Sequence, residues 1–175
     1  MNSQARLQVL VTKAEIAATI KRLASAITRD YREKNPLLLG ILKGSFVFLA
    51  DLVRQLDFPL EVEFVRLSSY SSGKQTSGRV RMMQGLKSDV QGRHVLVVED
   101  IVDTGITCAY FLEYLKKKNP ASLKLCALTD KPSRRRVPLT IDYNGITVPD
   151  KFIVGYGIDC DEKYRNLPDI CVLED

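Results

Sequence analysis

Three carboxylates, Glu99, Asp100 and Asp103, fall within five positions directly after the apolar run Val95-Leu96-Val97-Val98. Carboxylates that close repel one another and shift each other's protonation, so a cationic or hydrogen-bond-donating partner is expected to compensate them. The next residues, Asp103-Thr104-Gly105-Ile106-Thr107, offer small and hydroxyl side chains where a helix is expected to begin. Backbone N–H groups and hydroxyls at such a start can hold a phosphate, helped by the helix dipole. Acid groups beside a phosphate cradle suit a sugar phosphate, with carboxylates for ribose hydroxyls and amides for the phosphate. A capped helix with a solvated acidic turn is the alternative on composition alone.

Such groups need strands to present them. Residues 37–42 and 94–98 are continuous apolar runs, as expected of strands buried on both faces. Residues 123–128 read as a third such strand, 152–154 as a short fourth, and 170–173 as one that closes the set. Thr12-Lys13-Ala14-Glu15 has the form of a capping box, and Ile16, Ile20, Leu23 and Ile27 follow at helical spacing. Further helices are expected over 46–56 and 107–118, and a mixed strand over 60–67. Residues 68–79, rich in serine and glycine, read as a loop. Alternation of strands and helices predicts an α/β domain with a mostly parallel sheet, which binds ligands beyond the carboxyl ends of its strands. That rule selects Lys43-Gly44, the segment 99–107 and Lys131, each of which follows an apolar strand.

The chain has 175 residues, with 26 basic and 21 acidic side chains and a net charge of +5. It fits one domain, residues 1–175, with enough core to need no disulfide or metal. With 45% apolar and 27% charged residues it is neither disordered nor a disulfide scaffold. No apolar run reaches the roughly 20 residues of a membrane helix. The N-terminus lacks a signal-peptide core, so a cytoplasmic location is expected. Basic residues lie scattered among acidic ones, so no nucleic-acid partner is expected. Cys108, Cys126, Cys160 and Cys171 form no C-x-x-C pair, and the single histidine, His94, cannot build a His-based metal site. Arg134-Arg135-Arg136 reads as a solvated turn, with an oligomer contact or an anion patch as the alternative.

The segment VVEDIVDTGIT resembles the phosphoribosyl-pyrophosphate motif of the type I phosphoribosyltransferases. LGILKGS, the Ser69-Tyr70 pair, Asp130-Lys131-Pro132 and PDKFIVGYGIDCDEKYRNLP resemble the hypoxanthine-guanine branch of that family, in the family's order and in its bacterial wording. The resemblance implies the type I fold, a mostly parallel sheet with helices on both faces and a small hood built from the chain ends. It implies transfer of a 5-phosphoribosyl group from phosphoribosyl pyrophosphate to N9 of a 6-oxopurine, with Mg2+ as cofactor, and a homo-oligomer, dimer or tetramer. Glu99 and Asp100 would meet the ribose hydroxyls, partly through magnesium, and Asp159 would bind a second magnesium beside the purine. Asp103 would act as general acid/base at purine N7. Thr104, Gly105, Ile106 and Thr107 would hold the 5-phosphate. Lys131 would meet the purine O6, Phe152 would stack on the base and the Ile153 backbone would read its edge. Lys43, Gly44 and Arg165 would contact pyrophosphate, with Ser69 and Tyr70 closing over it as a lid.

The chemistry agrees with those roles. Positive charge building on the ribose suits carboxylates, and negative charge on departing pyrophosphate suits magnesium, Lys43 and Arg165. The ammonium of Lys131 would accept a 6-oxo group and meet the amino group of adenine donor to donor. Two departures from the family's pattern stand out: Ile106 where some members carry lysine, and Ser45 where some carry a second glycine. Some members also hold a cis peptide at the position of Leu42–Lys43. Two alternatives stay open, a xanthine-preferring enzyme and a nucleotide- or RNA-binding regulator of the same fold.

Overall fold

The computed structural model describes residues 6–72 and 75–174, giving only the backbone path for 69–72 and 75–79. The elements run β1 (Arg6–Val11), α1 (Lys13–Tyr31), β2 (Leu37–Leu42), α2 (Phe46–Val53), β3 (Glu61–Ser72), β4 (Gln75–Gln84), β5 (His94–Val102), α3 (Ile106–Lys116) and β6 (Ser122–Asp130). A 3-10 turn at Pro132–Arg134 follows, then β7 (Tyr143–Thr147), β8 (Ile153–Val154) and β9 (Ile170–Glu174). The main sheet has the order β4-β3-β2-β5-β6-β7. All its neighbours pair in parallel except β3 with β4. The order reverses between β2 and β5, so their carboxyl ends open a crevice at that switch point.

The two-residue period of a strand explains the layers. Leu37, Leu39 and Ile41 of β2 face a core that includes Phe111 and Leu115 of α3. Leu38, with Leu96 and Val98 of β5, faces the opposite core with Ile16, Ile20, Leu23 and Ile27 of α1 and Phe48, Leu49 and Leu52 of α2. The α/β architecture with helices on both faces follows. Helix α1 starts as its sequence predicts: Glu15 donates its N–H to the Thr12 hydroxyl while its carboxylate accepts the Thr12 N–H. Such a cap contributes about 1 kcal/mol.

A second sheet, β1-β9-β8, is antiparallel and joins the two ends of the chain. Helix α2 stops at Val53 rather than at Leu56. The expected loop over 68–79 is corrected: its described residues continue β3 and β4 as an antiparallel hairpin, with Ser68 opposite Arg81 and Ser72 opposite Gln75. Among the described residues no helix is long and apolar enough to cross a membrane.

Candidate active site

Strand β5 carries its last residues to the switch point, and Glu99 and Asp100 are buried there, each 7% exposed. Burial, with the charge of Asp100 added, pushes Glu99 well above the ordinary carboxylate range, and burial also raises Asp100. Two donors partly compensate Glu99: the Asp100 N–H donates to Oε1 at 3.3 Å and the Cys108 thiol to Oε2 at 3.8 Å. Strand β2 ends against them. The Leu42–Lys43 peptide is cis, and Gly44 lies against the Asp100 carboxylate with no room for a side chain. Gly157, at φ 97°, packs onto the Gly44 carbonyl, where a Cβ would come within 2.2 Å of the oxygen.

Beyond Asp100 the chain turns into the expected cradle. Gly105 caps α3 in the left-handed region at φ 81°, which glycine tolerates without a Cβ penalty. Thr104 Oγ1 accepts the N–H of Ile106 at 3.4 Å, and the first-turn amides of α3 have no partner within the helix. Asp103 lies 2.8 Å from Nε of Arg134. The two are paired by charge without hydrogen-bond alignment, since Asp103 Oδ1 has no hydrogen-bond partner.

Lys131 directly follows β6 and is buried at 6% exposure, its ammonium donating to the Lys151 carbonyl at 2.6 Å. Burial lowers its pKa from the ordinary lysine range, against the pull of Asp103. The same hydrogen bond fixes the segment that leads to Phe152. Phe152 is 55% exposed although Ile153 and Val154 beside it are buried, so a large aromatic side chain stands open on the residue after the carbonyl that Lys131 holds. The Leu173 N–H donates to the Phe152 carbonyl at 3.0 Å, anchoring this strand end to β9.

The cations expected to meet pyrophosphate share one carboxylate that sequence reasoning missed. Glu162 pairs with Lys43 at 2.8 Å and with Arg165 at 3.0 Å. Arg165 also pairs with Asp159 at 2.9 Å and donates to the Gly157 carbonyl at 2.8 Å. Both cations hold Glu162 below the usual carboxylate range. The charge run D-E-K-Y-R was the available signal. The side chains of Ser69 and Tyr70, expected to form a lid, lie outside the described residues.

The arginine triplet forms an exposed turn, as expected, with only Arg135 partly buried, and the turn has specific partners. Arg134 pairs with Asp103 and Asp150, and Arg135 pairs with Asp130 beneath the phosphate cradle. The N–H of Arg136 donates to the Thr104 carbonyl at 2.9 Å, so the turn is stitched to the residues before α3 while Arg134 and Arg136 stay exposed to solvent.

A doubly wound sheet with an acidic pair at the switch point, an amide cradle after it and a lysine one strand away defines a phosphoribosyltransferase. Residues 9–161 match the phosphoribosyl transferase domain family. The chain is 46% identical over 168 residues to the hypoxanthine-guanine phosphoribosyltransferase of Streptococcus pneumoniae, covering 96% of this chain and 93% of that one. It is 48% identical over 174 residues to the enzyme of the same name from Leishmania donovani, covering 94% and 82%. A solved hypoxanthine phosphoribosyltransferase from Staphylococcus aureus superposes with a TM-score of 0.92 at 40% identity, covering 95% of this chain and 91% of that one. The chain belongs to the hypoxanthine-guanine phosphoribosyltransferase family.

Proposed function

We propose that this chain transfers the 5-phosphoribosyl group from phosphoribosyl pyrophosphate to N9 of hypoxanthine or guanine, forming the nucleotide and releasing pyrophosphate, as a purine-salvage enzyme of the cytoplasm. The observation that carries the reading is the convergence of the buried Glu99–Asp100 pair, the 104–107 cradle and buried Lys131 at neighbouring strand ends.

In this reading the amides and hydroxyls of Thr104, Gly105, Ile106 and Thr107 bind the 5-phosphate, and Glu99 and Asp100 accept the ribose hydroxyls. Asp103 holds or takes the proton at purine N7. Lys131 donates to O6, Phe152 stacks on the base and Ile153 offers its backbone to the purine edge. Lys43, Gly44 and Arg165 receive pyrophosphate. The sheet β1-β9-β8, with the Phe152 end of β8, serves as the hood over the base.

The donor set suits magnesium. Glu99 and Asp100 supply oxygen atoms, Asp159 stands apart on Arg165, and among the described residues no cluster of three or more ligating side chains forms a cage. Magnesium keeps waters and leans on substrate phosphates, so two or three scattered carboxylates are enough. When bound, it neutralises charge developing on the pyrophosphate oxygens. Subunit association into a dimer or tetramer is expected with the family, and sedimentation tests it.

The deciding assay offers hypoxanthine, guanine, xanthine and adenine separately with phosphoribosyl pyrophosphate and magnesium. Product with hypoxanthine or guanine, none with adenine and loss of product on chelation support the reading. Preference for xanthine, or no product with any base beside salt-sensitive RNA binding, overturns it.

A further inference from the structure

Arg134 lies at the end of the 3-10 turn three residues after Lys131, and its side chain spans two parts of the crevice. Nε stands 2.8 Å from Asp103 Oδ1, and Nη1 stands 3.3 Å from Asp150 Oδ1. Asp103 belongs to the strand end before the phosphate cradle. Asp150 belongs to the segment that carries Phe152, and Lys131 holds the adjoining Lys151 carbonyl. The backbone reinforces the link, since the Arg134 N–H donates to the Lys131 carbonyl at 3.1 Å and the Arg136 N–H to the Thr104 carbonyl.

We propose that Arg134 is a positioning residue of the transfer reaction: its guanidinium fixes the Asp103 carboxylate relative to the purine-side segment through Asp150. The inference rests on the assignment of Asp103 as the group that handles the N7 proton. A carboxylate that moves a proton must face it within a few tenths of an ångström, and small misplacements cost large rate factors. Asp103 has no other ion pair among the described residues to set its side-chain angle. Arg134 holds Oδ1 by charge at 2.8 Å and leaves it without an aligned hydrogen bond. The planar guanidinium reaches both aspartates at once, which the single ammonium of a lysine cannot reproduce. An exposed ion pair contributes little to stability. A purely structural role therefore predicts no kinetic effect at all.

The test is a set of single-turnover and steady-state measurements on Arg134→Met, Arg134→Lys, Asp150→Asn, Asp103→Asn and the double variant Asp103→Asn/Arg134→Met. Arg134→Met should slow the single-turnover rate about tenfold or more, with KM for both substrates and the melting temperature unchanged. Arg134→Lys should recover part of the loss, and Asp150→Asn should lose part of it. In the Asp103→Asn background, Arg134→Met should add no further slowing. A wild-type rate for Arg134→Met beside a slow Asp103→Asn overturns the positioning role and leaves Asp103 in place. A rise in KM without a rate loss, or an equal loss in the Asp103→Asn background, also overturns it. A wild-type rate for Asp103→Asn overturns the underlying assignment instead.

Discussion

A methyl group built on Gly44 would sit 1.8 Å from Oδ2 of Asp100, so strand ends β2 and β5 meet here with no side chain between them. Asp100 is short and buried and cannot swing aside without leaving the switch point. Gly44→Ala should therefore displace the carboxylate expected to meet the ribose hydroxyls, and the cost should fall on substrate binding rather than on folding. Small displacements of a binding group cost large factors, so KM for phosphoribosyl pyrophosphate should rise about tenfold or more. Steady-state kinetics at saturating base checks it. An unchanged KM would mean that Asp100 does not bind that substrate.

Asp130 and Arg135 form the least exposed ion pair among the described residues, with 11% and 19% of their side chains open to solvent. Removing one partner leaves the other charge buried and uncompensated, which typically costs about 3–5 kcal/mol. Asp130→Asn should lower the melting temperature by about 6 °C or more for a chain of this size. Changing Asp57, which pairs with Arg32 at the surface, should shift it far less. Equal shifts from the two changes would remove the special standing of the Asp130–Arg135 pair.

Glu162 holds Lys43 and Arg165 together by their positive ends, the ends expected to face pyrophosphate. An anion entering there must displace that carboxylate. Glu162→Gln removes that competing charge from both cations and leaves Arg165 oriented by Asp159 and the Gly157 carbonyl. Inhibition by pyrophosphate should tighten about threefold to tenfold. Weaker inhibition would show instead that Glu162 holds the two cations in their binding positions.

The parallel sheet and α1 were legible because their signals are local. Leu37 to Leu42 is apolar throughout, and the Thr12–Glu15 capping box needs four residues. What escaped depends on distant partners. β1 has neither a clean alternation nor a long apolar run, and only pairing with β9 makes it a strand. β7 contains Asn144-Gly145, which reads as a turn, yet a Cβ at Gly145 would come within 2.2 Å of the Leu128 carbonyl on β6. The glycine marks a close backbone approach there, a known meaning of glycine within a strand. The site behaves alike: Glu99 to Thr107 forms one continuous motif, whereas Asp150 and Asp130 gained meaning only once the fold brought the arginines to them.

Lys131 should act on base choice more than on rate. Its ammonium gives one of its three N–H groups to the Lys151 carbonyl, which orients it and leaves donors for the purine O6. Lys131→Ala should raise KM for hypoxanthine and guanine while leaving KM for phosphoribosyl pyrophosphate near its starting value. Losing a hydrogen bond from a charged donor costs about 1.5–3 kcal/mol, or about tenfold to a hundredfold in base affinity. Unchanged affinity and unchanged preference against adenine would return Lys131 to a structural role.

Glu99 gives the stability a pH dependence of definite sign. Burial raises its pKa well above the ordinary 4.5, so the folded chain keeps a proton that the unfolded chain has released. Stability is fully present below pH 4.5 and falls as pH rises toward the raised value. The steepest contribution of one proton is about 1.4 kcal/mol per pH unit. Glu99→Gln removes that proton and the repulsion on Asp100 together. Without magnesium, the variant should melt higher than the parent at pH 8 and about equally near pH 4.5, with a shallower slope between. Magnesium favours the ionised pair, so adding it should stabilise the parent more at high pH than at low pH, and the variant less than the parent. Calorimetry across this range in chelator, then in magnesium with pyrophosphate, separates the two effects. Parallel slopes for parent and variant would show that Glu99 is already ionised in the folded chain.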